Sequence, residues 1–148
     1  MSDASGASNG GGAPSLYSDN AVVAKRLFQD VLTLFSIQDG EGALVSLERL
    51  LNLGYLDEEI EDFLALNSAK LVELYESILG PFTKVVSSGS VGVDEMPTGY
   101  LDRGLMRVMY EQVDGVKTIA ELLSDSTADH LRACAALEQL HRARLVVF

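Results

Sequence analysis

Across residues 20–79 the large apolar side chains return at intervals of three and four, and glycine or proline stands only at the breaks. That spacing puts them on one face of successive helices and is incompatible with strands, which need a period of two. Ala24, Leu27, Phe28, Val31, Leu34 and Phe35 form the first apolar face, with Lys25, Gln29 and Ser36 opposite. Gln38-Asp39-Gly40-Glu41-Gly42 interrupts it. A second helix carries Leu44, Leu47, Leu50 and Leu51 and stops at Gly54, where a C-terminal glycine belongs. Asp57 is placed to cap a third helix with Ile60, Phe63 and Leu64 on its inner side. A fourth begins at Asn67 or Ser68, stacks Leu71, Leu74, Tyr75, Ile78 and Leu79, and ends at Gly80-Pro81. Helices joined by such short connections pack most simply as antiparallel neighbours.

The ends of the chain read differently. Residues 1–19 are mostly Ser, Gly, Ala and Asn, which suits a flexible tail, with Leu16 and Tyr17 as its only sizeable apolar groups. In residues 82–98, Val85-Val86 and Val91-Gly92-Val93 flank Ser87-Ser88-Gly89-Ser90. This pattern fits a short hairpin and equally a mobile linker. A fifth helix over residues 99–113 presents Leu101, Leu105, Val108, Met109 and Gln112, and Asp114-Gly115 turns the chain. Thr118-Ile119-Ala120-Glu121 has the spacing of a capping box, and Ser126-Thr127-Ala128-Asp129 offers the same logic for the last helix. Leu145-Val146-Val147-Phe148 is β-prone, either as a wing strand or as an apolar terminus packed onto the core. The expected architecture is mainly α: a tail over 1–19, an N-terminal helical bundle over 20–81, a linker over 82–98, and a small winged-helix-like C-terminal module over 99–148.

Charge narrows the partners. The 148-residue chain carries a formal net charge of −11, a field that repels phosphate backbones and anionic lipid. Nucleic acid and membrane insertion are therefore disfavoured, the latter also because no apolar stretch approaches the roughly 20 residues of a membrane helix. A single cysteine, Cys134, excludes an internal disulfide and fits a reducing, cytoplasmic setting. It lies in the apolar run of the last helix, the place of a small buried hydrophobe. No N-terminal basic region followed by an apolar run marks a secretory signal.

Chemistry-bearing patterns are missing. No Ser sits between the glycines of a nucleophile elbow, and no thiol has a neighbouring His base. Gly89 and Gly92 lack the Lys-Ser/Thr of a phosphate-binding loop. His130 and His141 stand eleven residues apart, too far along one helix to share a metal. The expectation is a non-enzyme without cofactor or metal. Two surfaces remain as candidate contacts. Glu58, Glu59, Glu61 and Asp62 cluster at the start of the third helix, where they oppose the helix dipole or present a docking face to a basic partner. On the last helix, an inner face centred on Leu137 leaves Arg132, Ala135, Gln139 and Arg142 pointing outward. In a winged-helix DNA reader that face would meet guanine edges or phosphates. Residues 99–148, however, hold six Lys/Arg against seven Asp/Glu, without the basic footprint of a DNA-binding module.

Asp114-Gly115, then Thr118-Ile119-Ala120-Glu121-Leu122-Leu123, then Ala136-Leu137-Glu138-Gln139-Leu140 and Leu145-Val146 resemble the tail of bacterial winged-helix regulatory modules. These include the modules attached to PatA-N-terminal-like (PATAN) domains, and winged-helix transcription factors share the outline. The resemblance covers about a third of the chain. It implies a protein-interaction role in bacterial signalling or cell organisation. The function expected is thus that of a non-catalytic adaptor or regulatory subunit in a bacterial cytoplasm. A DNA-binding transcriptional regulator and a structural oligomerisation domain are the alternatives. For the last of these, Leu32 and Leu131 stand off the main stripes and extend apolar patches suited to a homo-oligomer.

Overall fold

A computed structural model describes residues 12–92, 94 and 103–148, with residues 12–18 as backbone only. The protein is mainly helical. The described residues form α1 (Gly12–Ser36), α2 (Gly40–Leu53), α3 (Glu58–Leu79), β1 (Ser87–Ser88), α4 (Arg103–Glu111), α5 (Ile119–Asp125), α6 (His130–Arg142) and β2 (Val146–Val147). The chain divides into two compact units, Met1–Ile60 and Glu61–Phe148.

The first unit is built on a hairpin of α1 and α2. Ala24, Phe28 and Val31 of α1 and Ala43, Leu44, Leu47, Leu50 and Leu51 of α2 are all buried. Each of these larger aliphatic or aromatic side chains contributes about 1.5–3 kcal/mol on leaving water. The connection is tight because Gln38 takes a left-handed conformation (φ 65°), letting Asp39 N–H reach back to the Leu34 carbonyl at 2.8 Å. Asp39 then caps α2, its Oδ1 accepting from Gly42 N–H at 2.9 Å. Gly54 ends the helix at φ 78°, as its position in the sequence predicts. The helix α1 starts at Gly12, eight residues before the expected Asn20, so residues 12–19 are helical rather than a tail. Pro14 permits this, since a first-turn N–H has no intrahelical partner to lose. Residues 1–11 lie outside the described residues, and so do the side chains of Leu16 and Tyr17.

The expected third and fourth helices are one. Asp57 caps α3 as anticipated, accepting from Ile60 N–H at 2.9 Å. The helix then runs through Asn67, whose side-chain amide donates back to the Phe63 carbonyl at 2.9 Å instead of capping a new start. Ala65, Leu66 and Ala69 are good helix formers, and no glycine or proline stands between Glu58 and Leu79 to stop it. The boundary between the units falls inside this helix.

In the second unit, α4, α5 and β2 all pack on α6. Met106 and Met109, Ile119, Leu122 and Leu123, and Leu131, Leu137 and Leu140 are all buried, and so are Leu71, Tyr75 and Leu79 of α3. On α4 the inner residues are Met106 and the expected Met109, while Val108 on the same helix and Gln112 just beyond it, both expected inward, are exposed. Residues 99–102, including Leu101, lie outside the described residues. The capping box at α5 is complete, with Thr118 Oγ1 accepting from Glu121 N–H at 3.2 Å and Glu121 Oε1 from Thr118 N–H at 2.9 Å. Ser126 does not open α6. Asp129 does, accepting from Arg132 N–H at 3.0 Å, because its carboxylate already sits beside the free amides of the first turn.

Residues 82–91 are neither a local hairpin nor a free linker. β1 pairs antiparallel with β2, Ser87 opposite Val147 and Ser88 opposite Val146. Gly89 N–H donates to the Leu145 carbonyl at 2.7 Å, and Val91 N–H to that of Arg144 at 3.1 Å. On the other edge, Val86 N–H donates to the Lys117 carbonyl at 3.0 Å, and Ile119 N–H to that of Lys84 at 2.9 Å, around a bridge between Val85 and Thr118. Because successive backbone groups of an extended chain point to opposite edges, segment 84–89 runs centrally between 117–119 and 144–147. Val86 and Val146 face inward and are fully buried, while Val85 and Val147 are exposed.

Candidate functional site

The acidic start of α3 is laid out as the sequence suggests. Glu58, Glu59, Glu61 and Asp62 are all exposed on its first two turns. Carboxylates there oppose the helix dipole, each contributing about 0.3–1 kcal/mol near the first turn. They also stand at spacings of three and four from one another, with no Lys or Arg three or four residues further on. Like charges so placed repel by about 0.2–0.5 kcal/mol per pair. Among the described residues none of the four forms an ion pair.

The outward face of α6 is narrower than its sequence spacing implies. Ala135 is fully buried and Gln139 is 2 % exposed, so neither is available for contact. The cause is packing on several sides at once: with α4, α5 and β2 against it, α6 buries the unbroken run of Ala133, Cys134, Ala135, Ala136 and Leu137. Leu131, expected to extend an apolar patch, is buried as well, whereas Leu32 on α1 is exposed. Arg132 and Arg142 do reach the surface, but each meets a carboxylate of its own segment. Arg132 Nε lies 3.3 Å from Asp129 Oδ2, and Arg142 NH2 lies 3.4 Å from Glu138 Oε2. Glu138 also faces His141 Nδ1 at 3.8 Å, and the His141 ring rests on Phe148 with centroids 4.3 Å apart. A groove-reading helix must offer its side chains to base edges, and α6 spends most of its surface on the core.

Cys134 is buried, as its sequence setting predicts. Desolvation, with smaller effects from the Glu76 and Asp129 charges, pushes its thiol up to about 12, which keeps it protonated and weakly nucleophilic. In the turn before α5, Asp114 Oδ1 accepts from Lys117 N–H at 2.8 Å and Val116 N–H at 2.9 Å, and these bonds hold its carboxyl below the usual range. That carboxylate is a turn-former. Glu73, Glu76, Ser77, Gly80 and Pro81 line a shallow, open depression at the end of α3. Among the described residues no group of three His, Cys, Asp or Glu side chains gathers around a metal position, and no helix is long and apolar enough to cross a membrane. The chain matches no family model, no curated protein and no solved structure.

Proposed function

We propose that this chain is a non-catalytic protein-interaction module, an adaptor or regulatory subunit of bacterial cytoplasmic signalling or cell organisation. The observation that carries the reading is the face of Glu58, Glu59, Glu61 and Asp62. Four exposed carboxylates repel one another along a helix, and among the described residues none of them meets a cation in an ion pair, an arrangement that a basic partner surface relieves on docking. Arg132 and Arg142, already matched within α6, play a lesser part.

A winged-helix-like character for the C-terminal unit belongs to the same proposal. It is supported by the order of segment 117–119, capped α5, α6 and segment 144–147, with the first bridged and the last paired to segment 84–89. The central strand comes from upstream of α4, which departs from the expectation of a module starting at residue 99. The DNA-reading version draws no support from α6, for the reason of its burial.

Affinity capture from the native cell tests the proposal, comparing the whole chain with a Glu58→Lys/Glu61→Lys variant. A specific partner lost with the double reversal is the expected result. Capture that ignores the reversal refutes the acidic face. The whole chain is needed, because ending it before residue 97 would leave segment 84–89 without both its neighbours.

A further inference from the structure

Three cations of the second unit are matched close by: Lys117 meets Asp125 at 3.3 Å, Arg132 meets Asp129 at 3.3 Å, and Arg142 meets Glu138 at 3.4 Å. Arg103 and Arg107 on α4 are not. Both are exposed, and among the described residues neither forms an ion pair. Glu111 stands one turn beyond Arg107, exposed as well, without closing a pair. Among the described helices α4 is the only one with two cations four residues apart, a spacing at which like charges repel. Their neighbour Val108 is 52 % exposed and adds an apolar member to the face. Such a face is left open in a chain whose 22 Asp and Glu outnumber its 11 Lys and Arg. The start of α3 carries the opposite charge at the same spacing. Glu58 and Asp62 are also four residues apart, exposed and outside any ion pair among the described residues. Four residues rise about 6 Å along a helix, so two charge pairs line up at once. Laid antiparallel, Arg107 meets Glu58 and Arg103 meets Asp62. Glu111 then passes the start of α3 at the level of Gly54, clear of the carboxylates.

We propose that the Arg103–Arg107 face of α4 is a self-association surface, which takes the first turns of α3 from a second copy of this chain. Neither half is neutralised by ion pairs within its own chain, and each supplies what the other lacks. The two halves differ, so the contact is head-to-tail and leaves each pair of copies with one face of either kind to extend it. Copies that each carry −11 repel at long range. At physiological ionic strength, however, exposed charges are screened beyond about 8 Å, so the charges in contact decide. The inference rests on reading the acidic start of α3 as a protein-docking face and names the partner of that face.

Sedimentation equilibrium of the full chain over a range of micromolar concentrations tests it. The average mass rises above the 15.9 kDa of one chain as concentration increases, and falls back at high salt. Arg103→Glu/Arg107→Glu weakens the association by at least about tenfold, and so does Glu58→Lys/Asp62→Lys. Mixed together, the two variants recover it. The reversed α4 of one then meets the reversed α3 of the other, and the unaltered faces left on each also match. Recovery requires both variants to be folded, so it separates a lost contact from a lost fold. A parent chain that stays monomeric throughout overturns the proposal, as does association that ignores either reversal or a mixture that recovers nothing. A monomeric parent whose captured partner is still lost with Glu58→Lys/Glu61→Lys refutes self-association and leaves the acidic face standing as a dock for another protein.

Discussion

Replacing Gly89 by valine introduces a Cβ where the Arg144 carbonyl oxygen already lies, with the Arg144 and Leu145 carbonyl carbons within 2.9–3.0 Å. These are backbone atoms, so no side chain can swing aside. Arg144 is itself held by the turn that ends α6, through its N–H to His141 at 3.0 Å and the Leu145 N–H to Leu140 at 2.9 Å. The strand must then move away from β2. The bonds at stake are Gly89 N–H to Leu145 and Val91 N–H to Arg144, each worth about 0.5–1.5 kcal/mol net. Forced displacement in a packed region adds about 1–3 kcal/mol. The total is about 2–6 kcal/mol, or a fall in melting temperature on the order of 10–50 °C for a unit of this size. Urea and thermal unfolding followed by far-UV circular dichroism measure it. Gly92→Ala is the control, because a Cβ there meets nothing, and its stability stays within about 0.5 kcal/mol of the parent. A Gly89→Val protein as stable as the parent would refute the central placement of segment 84–89.

Further expectations concern caps, core and titration. Thr118→Ala removes the acceptor for Glu121 N–H and lowers stability by about 0.5–2 kcal/mol in urea. Arg144→Gly relieves a left-handed residue at φ 66° and raises the urea midpoint by about 1 kcal/mol of stability; a lower midpoint would contradict this. Leu47→Ala opens a hole in the fully buried α1–α2 seam and costs about 2–5 kcal/mol. Cys134, whose thiol is raised from 9.0 to about 12 in the fold, favours the folded state fully below pH 9 and loses that contribution as pH climbs from 9 towards 12. A Cys134→Ala variant should show a flatter decline over that window, and equal slopes would contradict the burial argument.

What the sequence made legible was local. The three-and-four spacing located the α1 and α2 core, Gly54 marked a helix end, and Thr118 with Glu121 marked a helix start, because each signal is settled by the residue and its near neighbours. The misreadings arose where distant contacts decide. Asn67 resembles a cap until its side chain is seen bonding within a continuous helix. Ala135 and Gln139 fall opposite Leu137 on a helical projection, yet α6 is enclosed on several sides. The run Ala133-Cys134-Ala135-Ala136-Leu137, apolar without interruption, was the available signal for a helix buried all round. Residues 82–91 carry little strand propensity of their own, and their pairing comes from partners some thirty to sixty residues away. The acidic face of α3 was readable because exposed charge on a helix start needs no tertiary information.

The most direct test of the protein-interaction reading is partner capture from the native cell, quantified for the whole chain and for Glu58→Lys/Glu61→Lys at low and high salt. The account predicts a specific protein retained by the parent chain, weakened by salt and lost with the charge reversal. Equal capture by both proteins, or turnover of a small metabolite by the purified chain, would contradict it.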